Sequence, residues 1–218
     1  MIFICAGLPK SASTICFKYT EACLLQNRKL SNMEYIYRWG IFKSLAIFFN
    51  NLFNGNVIVK THSSPTFFIK LFINLNIARA IYTIRDPRDI ILSTIDFKTD
   101  NPKQKVYNQH TTIENTIDAV KNEIRSFYNW KKFRKVQFVR YNEIVKHPHK
   151  TIALICNYFK INIPENEIEN IVRSFNNNPV ENFNTGKTDR YKTEMSADEI
   201  RFCNKVFGKI ITDMGYEL

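Results

Sequence analysis

Four short apolar runs punctuate the chain: Ile2–Ala6, Val57–Val59, Ala80–Ile84 and Val136–Val139. Compact apolar runs of this kind, bounded by turn residues, predict strands buried on both faces. Each gives way to polar or Gly/Pro punctuation and then to a helical pattern. Helices are predicted over Ser13–Leu25, from Asp89 to Ile95, across Thr111–Phe133, over Thr151–Phe159 and across Ala197–Ile211. The longest keeps Ile113, Ile117, Val120, Ile124 and Phe127 on one face, at the i, i+3/i+4 spacing of a helix packed on a core. Asp89 is expected to be the N-cap of its helix. The polar stretches Lys98–His110 and Asn176–Thr193 read as loops. Repeated strand–loop–helix order predicts an α/β, three-layer sandwich with a central parallel sheet and helices on both faces.

Composition narrows the class. The chain has 218 residues, 44% of them hydrophobic, with no internal repeat and no long linker, so residues 1–218 are read as one domain. A chain of this size buries about 70% of its unfolded surface, so neither disulfides nor a structural metal is needed for stability. Six Gly, seven Pro and 14% aromatic residues exclude a disordered or collagenous protein. The net charge of +11 points to anionic partners. Abundant Asn, Ile and Lys also give a basic balance by genome composition alone, so no nucleic-acid partner is expected from charge. The five cysteines, Cys5, Cys16, Cys23, Cys156 and Cys203, form no C-x-x-C and have no histidine at a ligand-like offset. They read as reduced, buried thiols of a cytoplasmic protein, with no metal site. The N-terminal apolar run lacks the basic start of a signal peptide. Thr66–Ala78 is apolar but is broken by Lys70 and two asparagines, and is too short to span a bilayer. No membrane partner is expected.

The first strand runs into Gly7-Leu8-Pro9-Lys10-Ser11-Ala12-Ser13-Thr14 and then into a helix. A strand, a tight turn and a helix N-terminus make an anion site from backbone amides and the helix dipole. Against the nucleotide-binding pattern G-x-x-x-x-G-K-[ST], Gly7 and Thr14 keep register, but Ala12 and Ser13 replace the second Gly and the Lys. The lysine stands three residues earlier, at Lys10. No convincing acidic magnesium partner follows a later strand. The fold is therefore of P-loop type with an unusual loop, and both a kinase and an ordinary strand-to-helix turn stay open on this motif alone. A second cluster follows the third apolar run: Arg85-Asp86-Pro87-Arg88-Asp89, with Ser93 one helical turn on. An Arg fork and a Ser hydroxyl there could converge on a second phosphate. A surface ion-pair cluster is the competing explanation.

Taken together, these segments resemble the sulfotransferase superfamily that uses 3′-phosphoadenosine-5′-phosphosulfate (PAPS), closest to its cytosolic branch. Pro9-Lys10-Ser11-Ala12-Ser13-Thr14 resembles the 5′-phosphosulfate loop P-K-[ST]-G-[ST]-[ST]. Tyr82-Thr83-Ile84-Arg85-Asp86-Pro87-Arg88-Asp89 with Ser93 resembles the 3′-phosphate motif. Val59-Lys60-Thr61-His62 is similar to the K-T-H segment, and Val139-Arg140-Tyr141-Asn142-Glu143-Ile144 to R-Y-E-D-L. Ser174-Phe175, followed by Asn178-Pro179 and Asn182-Phe183, resembles the adenine-contacting segment. Thr185-Gly186-Lys187 and Tyr191-Lys192 resemble the late R-K-G-x-x-G-D-W-[KR] motif. The matches fall in family order along nearly the whole chain.

The resemblance implies sulfuryl transfer from PAPS to a hydroxyl or amine, releasing 3′,5′-bisphosphoadenosine (PAP), with no metal required. Lys10, His62 and Lys60 would be catalytic: Lys10 on the bridging oxygen, His62 as base, Lys60 on the sulfuryl oxygens. Lys10, Ser11, Ala12, Ser13 and Thr14 would cradle the 5′-phosphosulfate. Arg85 and Ser93 would hold the 3′-phosphate, Tyr141 and Phe175 the adenine, with Gly186 and Lys187 from the late motif. The acceptor would be a small molecule or a glycan. The chain departs from the pattern at Ala12, at Ile15, where an aromatic residue is common, and at Asn184-Thr185-Gly186, which lacks an Arg-Lys pair that Lys187 partly replaces. If position 12 needs a positive φ, Ala12 costs about 1–2 kcal/mol. The family's dimer motif K-x-x-x-T-V-x-x-x-E is not found, so a monomer is expected. An ATP-dependent kinase and a non-enzymatic polyanion or nucleotide binder are the alternatives.

Overall fold

A computed structural model describes residues 1–27, 30–33, 35–37, 39–100, 112–177 and 186–218. Five strands form one parallel sheet in the order β2-β3-β1-β4-β5. They are β1 (Ile2–Gly7), β2 (Leu30–Met33), β3 (Asn56–Thr61), β4 (Ala78–Ile84) and β5 (Val136–Arg140). The helices are α1 (Ser13–Asn27), α2 (Ile41–Asn54), α3 (Phe67–Asn74), α4 (Pro87–Asp100), α5 (Ile113–Lys131), α6 (Tyr141–Lys146), α7 (Pro148–Phe159), α8 (Glu165–Asn177), α9 (Tyr191–Glu194) and α10 (Ala197–Asp213).

The central strand β1 is buried along its whole length, because both sheet faces are covered. Its alternate side chains divide between two cores, as a two-residue period requires. Ile2, Ile4 and Ala6 join Val57, Val59 and Tyr82 under α2, α3, α5 and α10. Phe3 and Cys5 join Ile58 and Ile81 under α1, α7 and α8. All five cysteines are free and buried. Among the described residues, no helix is long and apolar enough to cross a membrane.

From β1 the chain passes through α1 to the β2 edge, whereas from β4 it passes through α4 and α5 to β5 at the other edge. Neighbouring strands whose exits diverge leave a crevice at their carboxyl ends. That crevice lies where Gly7 pairs with Thr83.

The three-layer α/β sandwich with a parallel sheet is the architecture read from the sequence. Several elements differ from the reading. Helix α4 begins at Pro87, and its cap is Asp86: Arg88 N donates to Asp86 Oδ1 at 2.9 Å, and Ile90 N to the Asp86 carbonyl at 3.0 Å. Asp89 therefore lies inside the first turn and is freed for other partners. Lys98 to Asp100 continue α4, so the expected Lys98–His110 loop starts as helix, and its remainder, 101–110, lies outside the described residues. Asn176 and Asn177 close α8, and Tyr191–Glu194 forms α9, while 178–185 lie outside the described residues. The strand β2, with Ser31 and Asn32 at its centre, has no apolar run to announce it.

Candidate active site

Gly7 closes β1 against β4 so tightly that an added Cβ would sit 1.9 Å from Thr83 Oγ1. Only glycine permits that approach. Beyond it, Leu8 N donates to the Thr83 carbonyl at 3.0 Å and Ser11 N to the Leu8 carbonyl at 3.3 Å. The buried Ser11 hydroxyl donates to the Leu8 carbonyl at 2.5 Å and lies 2.6 Å from Thr83 Oγ1. Ser11 thus faces the sheet and pins the loop to β4. Lys10 and Ala12, on either side of it, both take positive φ, 60° and 62°. The condition raised by Ala12 is met: its β-carbon sits in the left-handed region, at a cost of about 1–2 kcal/mol. Helix α1 starts at the next residue, Ser13, and brings the amides and positive end of its first turn to the loop.

Three cationic or basic side chains converge here. The half-buried Lys10 carries its Nζ 3.2 Å from the Phe97 ring centroid. Burial pulls its pKa down to about 8; Arg85 adds to the depression, and Glu123 and Asp96 oppose it. Lys60, near the end of β3, donates from Nζ to Thr14 Oγ1 at 2.6 Å, and burial lowers its pKa as well. His62 follows β3, with Nδ1 2.7 Å from the Gly7 carbonyl. A carbonyl only accepts, so Nδ1 carries the proton and Nε2 keeps its lone pair. Burial pushes the His62 pKa down to about 4, helped by Lys60 and Lys10 and opposed by the Gly7 bond. The imidazole is therefore neutral throughout the physiological range.

Arg85, one residue past β4, joins the second cluster to the first. It is 4% exposed. Nη1 donates to the Lys10 carbonyl at 3.0 Å and Nη2 to the Lys187 carbonyl at 3.2 Å. The guanidinium lies 3.8 Å over the Tyr141 ring, and Nη2 is 3.6 Å from Asp89 Oδ2. Its Nε is buried and has no hydrogen-bond partner among the described residues. Asp89, released from capping, accepts from the amides of Asp189 at 3.0 Å and Tyr191 at 3.1 Å. These bonds bring the segment after Gly186 (φ 66°) back against α4. Ser93 is buried on the next turn of α4.

Lys10, Arg85, Tyr141 and Lys187, singled out from distant stretches of sequence, therefore form one connected cluster. Ser13 and Thr14 lie at the start of α1 beside it. Phe175, near the end of α8, packs edge-on against Tyr19 of α1, ring centroids 4.9 Å apart. Asn178, Pro179, Asn182, Phe183 and Thr185 lie outside the described residues. Two participants went unread in the sequence. Glu123 on α5 faces Lys10 electrostatically, and burial lifts its carboxyl to about 7 against the pull of Lys10. Nothing in its local sequence sets it apart from the solvated Glu and Lys of α5. Tyr35 places its ring 5.5 Å from the His62 ring. Among the described residues, no group of three or more His, Cys, Asp or Glu is placed to hold a metal ion.

The profile of the sulfotransferase domain family matches residues 21–209. The matched span holds Lys60, His62, Arg85, Ser93, Tyr141 and Lys187; the loop from Gly7 to Thr14 precedes it. No curated protein matches the chain. Among solved structures, mouse sulfotransferase SULT7A1 complexed with PAP superposes with a TM-score of 0.72 at 17% identity, covering 96% of this chain and 84% of that one. Retinol dehydratase in complex with retinol and PAP gives 0.67 at 13% identity, covering 100% and 82%. The same enzyme with androsterone and PAP gives 0.66 at 12% identity, also covering 100% and 82%. At these identities the likeness establishes the fold.

Proposed function

The chain belongs to the sulfotransferase domain family, and from that premise we propose that it moves the sulfuryl group of PAPS to a hydroxyl or amine of a small-molecule acceptor. The observation that carries this reading is the His62 tautomer. The bond from Nδ1 to the Gly7 carbonyl leaves Nε2 as a proton acceptor at the mouth of a cationic loop. The new bond forms between the acceptor oxygen or nitrogen and sulfur. The bond between sulfur and the bridging oxygen breaks, the acceptor proton passes to His62 Nε2, and PAP departs. In a loose, in-line transfer, catalysis is mainly positioning and stabilisation of developing charge.

Each basic group has a task in this scheme. Lys10 neutralises charge on the bridging oxygen as the phosphate leaves. Lys60 and the start of α1, with Ser13 and Thr14, hold the sulfuryl and 5′-phosphate oxygens. Ser11 and Ala12 give backbone to the same cradle. Arg85 and Ser93 bind the 3′-phosphate, supported by Gly186 and Lys187, and Tyr141 and Phe175 border the adenine. The residues fit an anionic ligand: a buried guanidinium Nε with no partner among the described residues retains a donor for it. A base with a pKa of about 4 is weak for its task. An anionic co-substrate beside it favours the imidazolium and raises that pKa. The androsterone and retinol complexes of retinol dehydratase support a small hydroxyl-bearing acceptor.

The test is a calorimetric titration with PAP and with ADP, both without magnesium. Tight PAP binding with weak ADP binding supports the 3′-phosphate site. Loss of sulfuryl transfer from PAPS in Lys10→Ala and His62→Ala then supports the assigned chemistry. Failure to bind PAP, or ADP binding only with magnesium, overturns the reading.

A further inference from the structure

The outer faces of α2 and α3 turn large apolar side chains to water. On α2, Phe42 is 88% exposed and Phe53 76%, with Leu45, Phe49 and Leu52 also open. On α3, Phe67 is 72% exposed, and Leu71 and Leu75 follow it at helical spacing. The opposite faces are spent on the core, through Ser44 and Ile47 of α2 and Ile69, Phe72 and Ile73 of α3. Phe48 stacks on Phe72 at 5.9 Å and Phe49 on Phe53 at 6.3 Å, so aromatic contacts run along α2 and across to α3. Scattered exposed apolar residues need no explanation, but a contiguous surface of them marks an interaction site.

The charge carried by the two helices and the chain between them has one sign. Lys43 and Lys70 are exposed on the two helices. From Tyr35 to Ile84 the sequence contains no Asp and no Glu. We infer that the α2–α3 face docks on the surface of a bilayer containing anionic lipid. A mosaic of phenylalanine, leucine and lysine matches acyl chains beneath anionic headgroups. A second copy of the chain would bring the same basic face and another +11 charge against it, so self-association is opposed. With 14 residues, α2 is too short to span a bilayer and lies in the interface instead. This departs from the expectation of no membrane partner, which rested on the lack of a spanning segment.

Two exposed tyrosines precede α2 in the chain and border the candidate active site. Tyr35 and Tyr37 are exposed, with ring centroids 6.3 Å apart, and Tyr35 in turn meets the His62 ring. Tyrosine favours the headgroup level of a bilayer.

Co-sedimentation of the full chain with vesicles tests this without any turnover. Vesicles of phosphatidylcholine alone are compared with vesicles containing phosphatidylglycerol. Expected are binding to the mixed vesicles, little to phosphatidylcholine alone, and a loss of about tenfold or more in Phe42→Glu/Phe67→Glu. Both positions are open to solvent, so the variant should keep the wild-type melting temperature and PAP affinity. No binding to mixed vesicles, equal binding to both kinds, or binding untouched in the variant overturns the inference. So does a dimer in light scattering that Phe42→Glu dissolves while vesicle binding is absent, since the face would then belong to a second copy. PAP binding is read separately, so a failed sulfotransferase assignment would not be mistaken for a failed docking surface.

Discussion

Arg85 donates from Nη1 to the main-chain carbonyl of Lys10 at 3.0 Å. The residue that follows β4 thereby holds the backbone of the loop that follows β1, and the two motifs act as one cradle. With Nη2 on Lys187 and the face of the guanidinium on Tyr141, the planar fork has no equivalent in a lysine ammonium.

Replacing Arg85 with Lys is expected to weaken PAP binding roughly ten- to hundredfold, the size of a lost charge-assisted hydrogen bond, about 1.5–3 kcal/mol. ADP affinity should change much less. Calorimetry with both nucleotides on the purified variant is the check. Equal losses for the two would place Arg85 in general loop support and not in recognition of the 3′-phosphate.

The pH profile follows from two lowered values. The kcat/KM of the free enzyme reports its own ionisations. His62 is pushed down to about 4 and Lys10 to about 8. Activity should therefore hold from about pH 5 to about pH 8 and decline above that as Lys10 loses its proton. Glu123→Gln removes a carboxylate that supports the charged lysine, so the alkaline decline should move to lower pH. A decline centred near an ordinary histidine value, on the acid side, would contradict the buried, neutral His62. Nuclear magnetic resonance of the imidazole should show its pKa rising when PAP is added.

The same histidine makes a statement about stability. A folded-state pKa below the unfolded value means that the unfolded chain binds the extra proton. The stabilising difference is complete above about 6.5 and is lost as pH falls through that value towards about 4. His62→Gln should flatten this part of the melting-temperature profile. An unchanged slope between those limits would show that His62 is solvated.

Ala12→Gly is expected to raise the melting temperature. Relief of the left-handed strain returns about 1–2 kcal/mol, and the added freedom of glycine in the unfolded chain takes back about 0.5–1 kcal/mol. A net gain of about 0.5–1 kcal/mol corresponds to about 1–4 °C for a chain of this size. Calorimetric melting of the two proteins decides it, and a lower melting temperature would show that the loop tolerates the β-carbon without strain.

Arg88 is a structural counterpart to Arg85. It is fully buried, pairs with Asp86 through Nε at 3.0 Å and Nη2 at 2.7 Å, and reaches Asn204 on α10 at 2.9 Å. Arg88→Met leaves the buried Asp86 carboxylate without its cationic partner and should cost about 3–5 kcal/mol. Urea unfolding measures the loss, and the double variant with Asp86→Asn should recover part of it.

Much of this was legible because the informative residues sit where strands end. Glycine, lysine, arginine and histidine directly after an apolar run mark loops at the carboxyl edge of a parallel sheet, and their order along the chain is enough to align them. The same logic failed where chemistry depends on what folding brings near. Asp89 reads locally as a cap, yet its partners are the amides of Asp189 and Tyr191, about a hundred residues away. Glu123 looks like a solvated helix residue until Lys10 of another element is placed beside it. Ser11 sits in a motif of ligand-facing hydroxyls, but its contact with Thr83 depends on strand pairing. β2 was unreadable for a further reason: a short strand with polar central residues carries no alternation to detect.

The carbonyl of Gly7 and the amide of Leu8 belong to one peptide plane. One side of that rigid plate accepts a hydrogen bond from His62 Nδ1, and the other donates to the Thr83 carbonyl. Aim of the imidazole and alignment of the two middle strands are consequently a single mechanical variable. Tilting the plate to loosen one contact would loosen the other, so the ring inherits the positional accuracy of the stiffest part of the molecule. The imidazole is thus steadied by the sheet itself, through an approach of the two strands that only a bare position 7 allows.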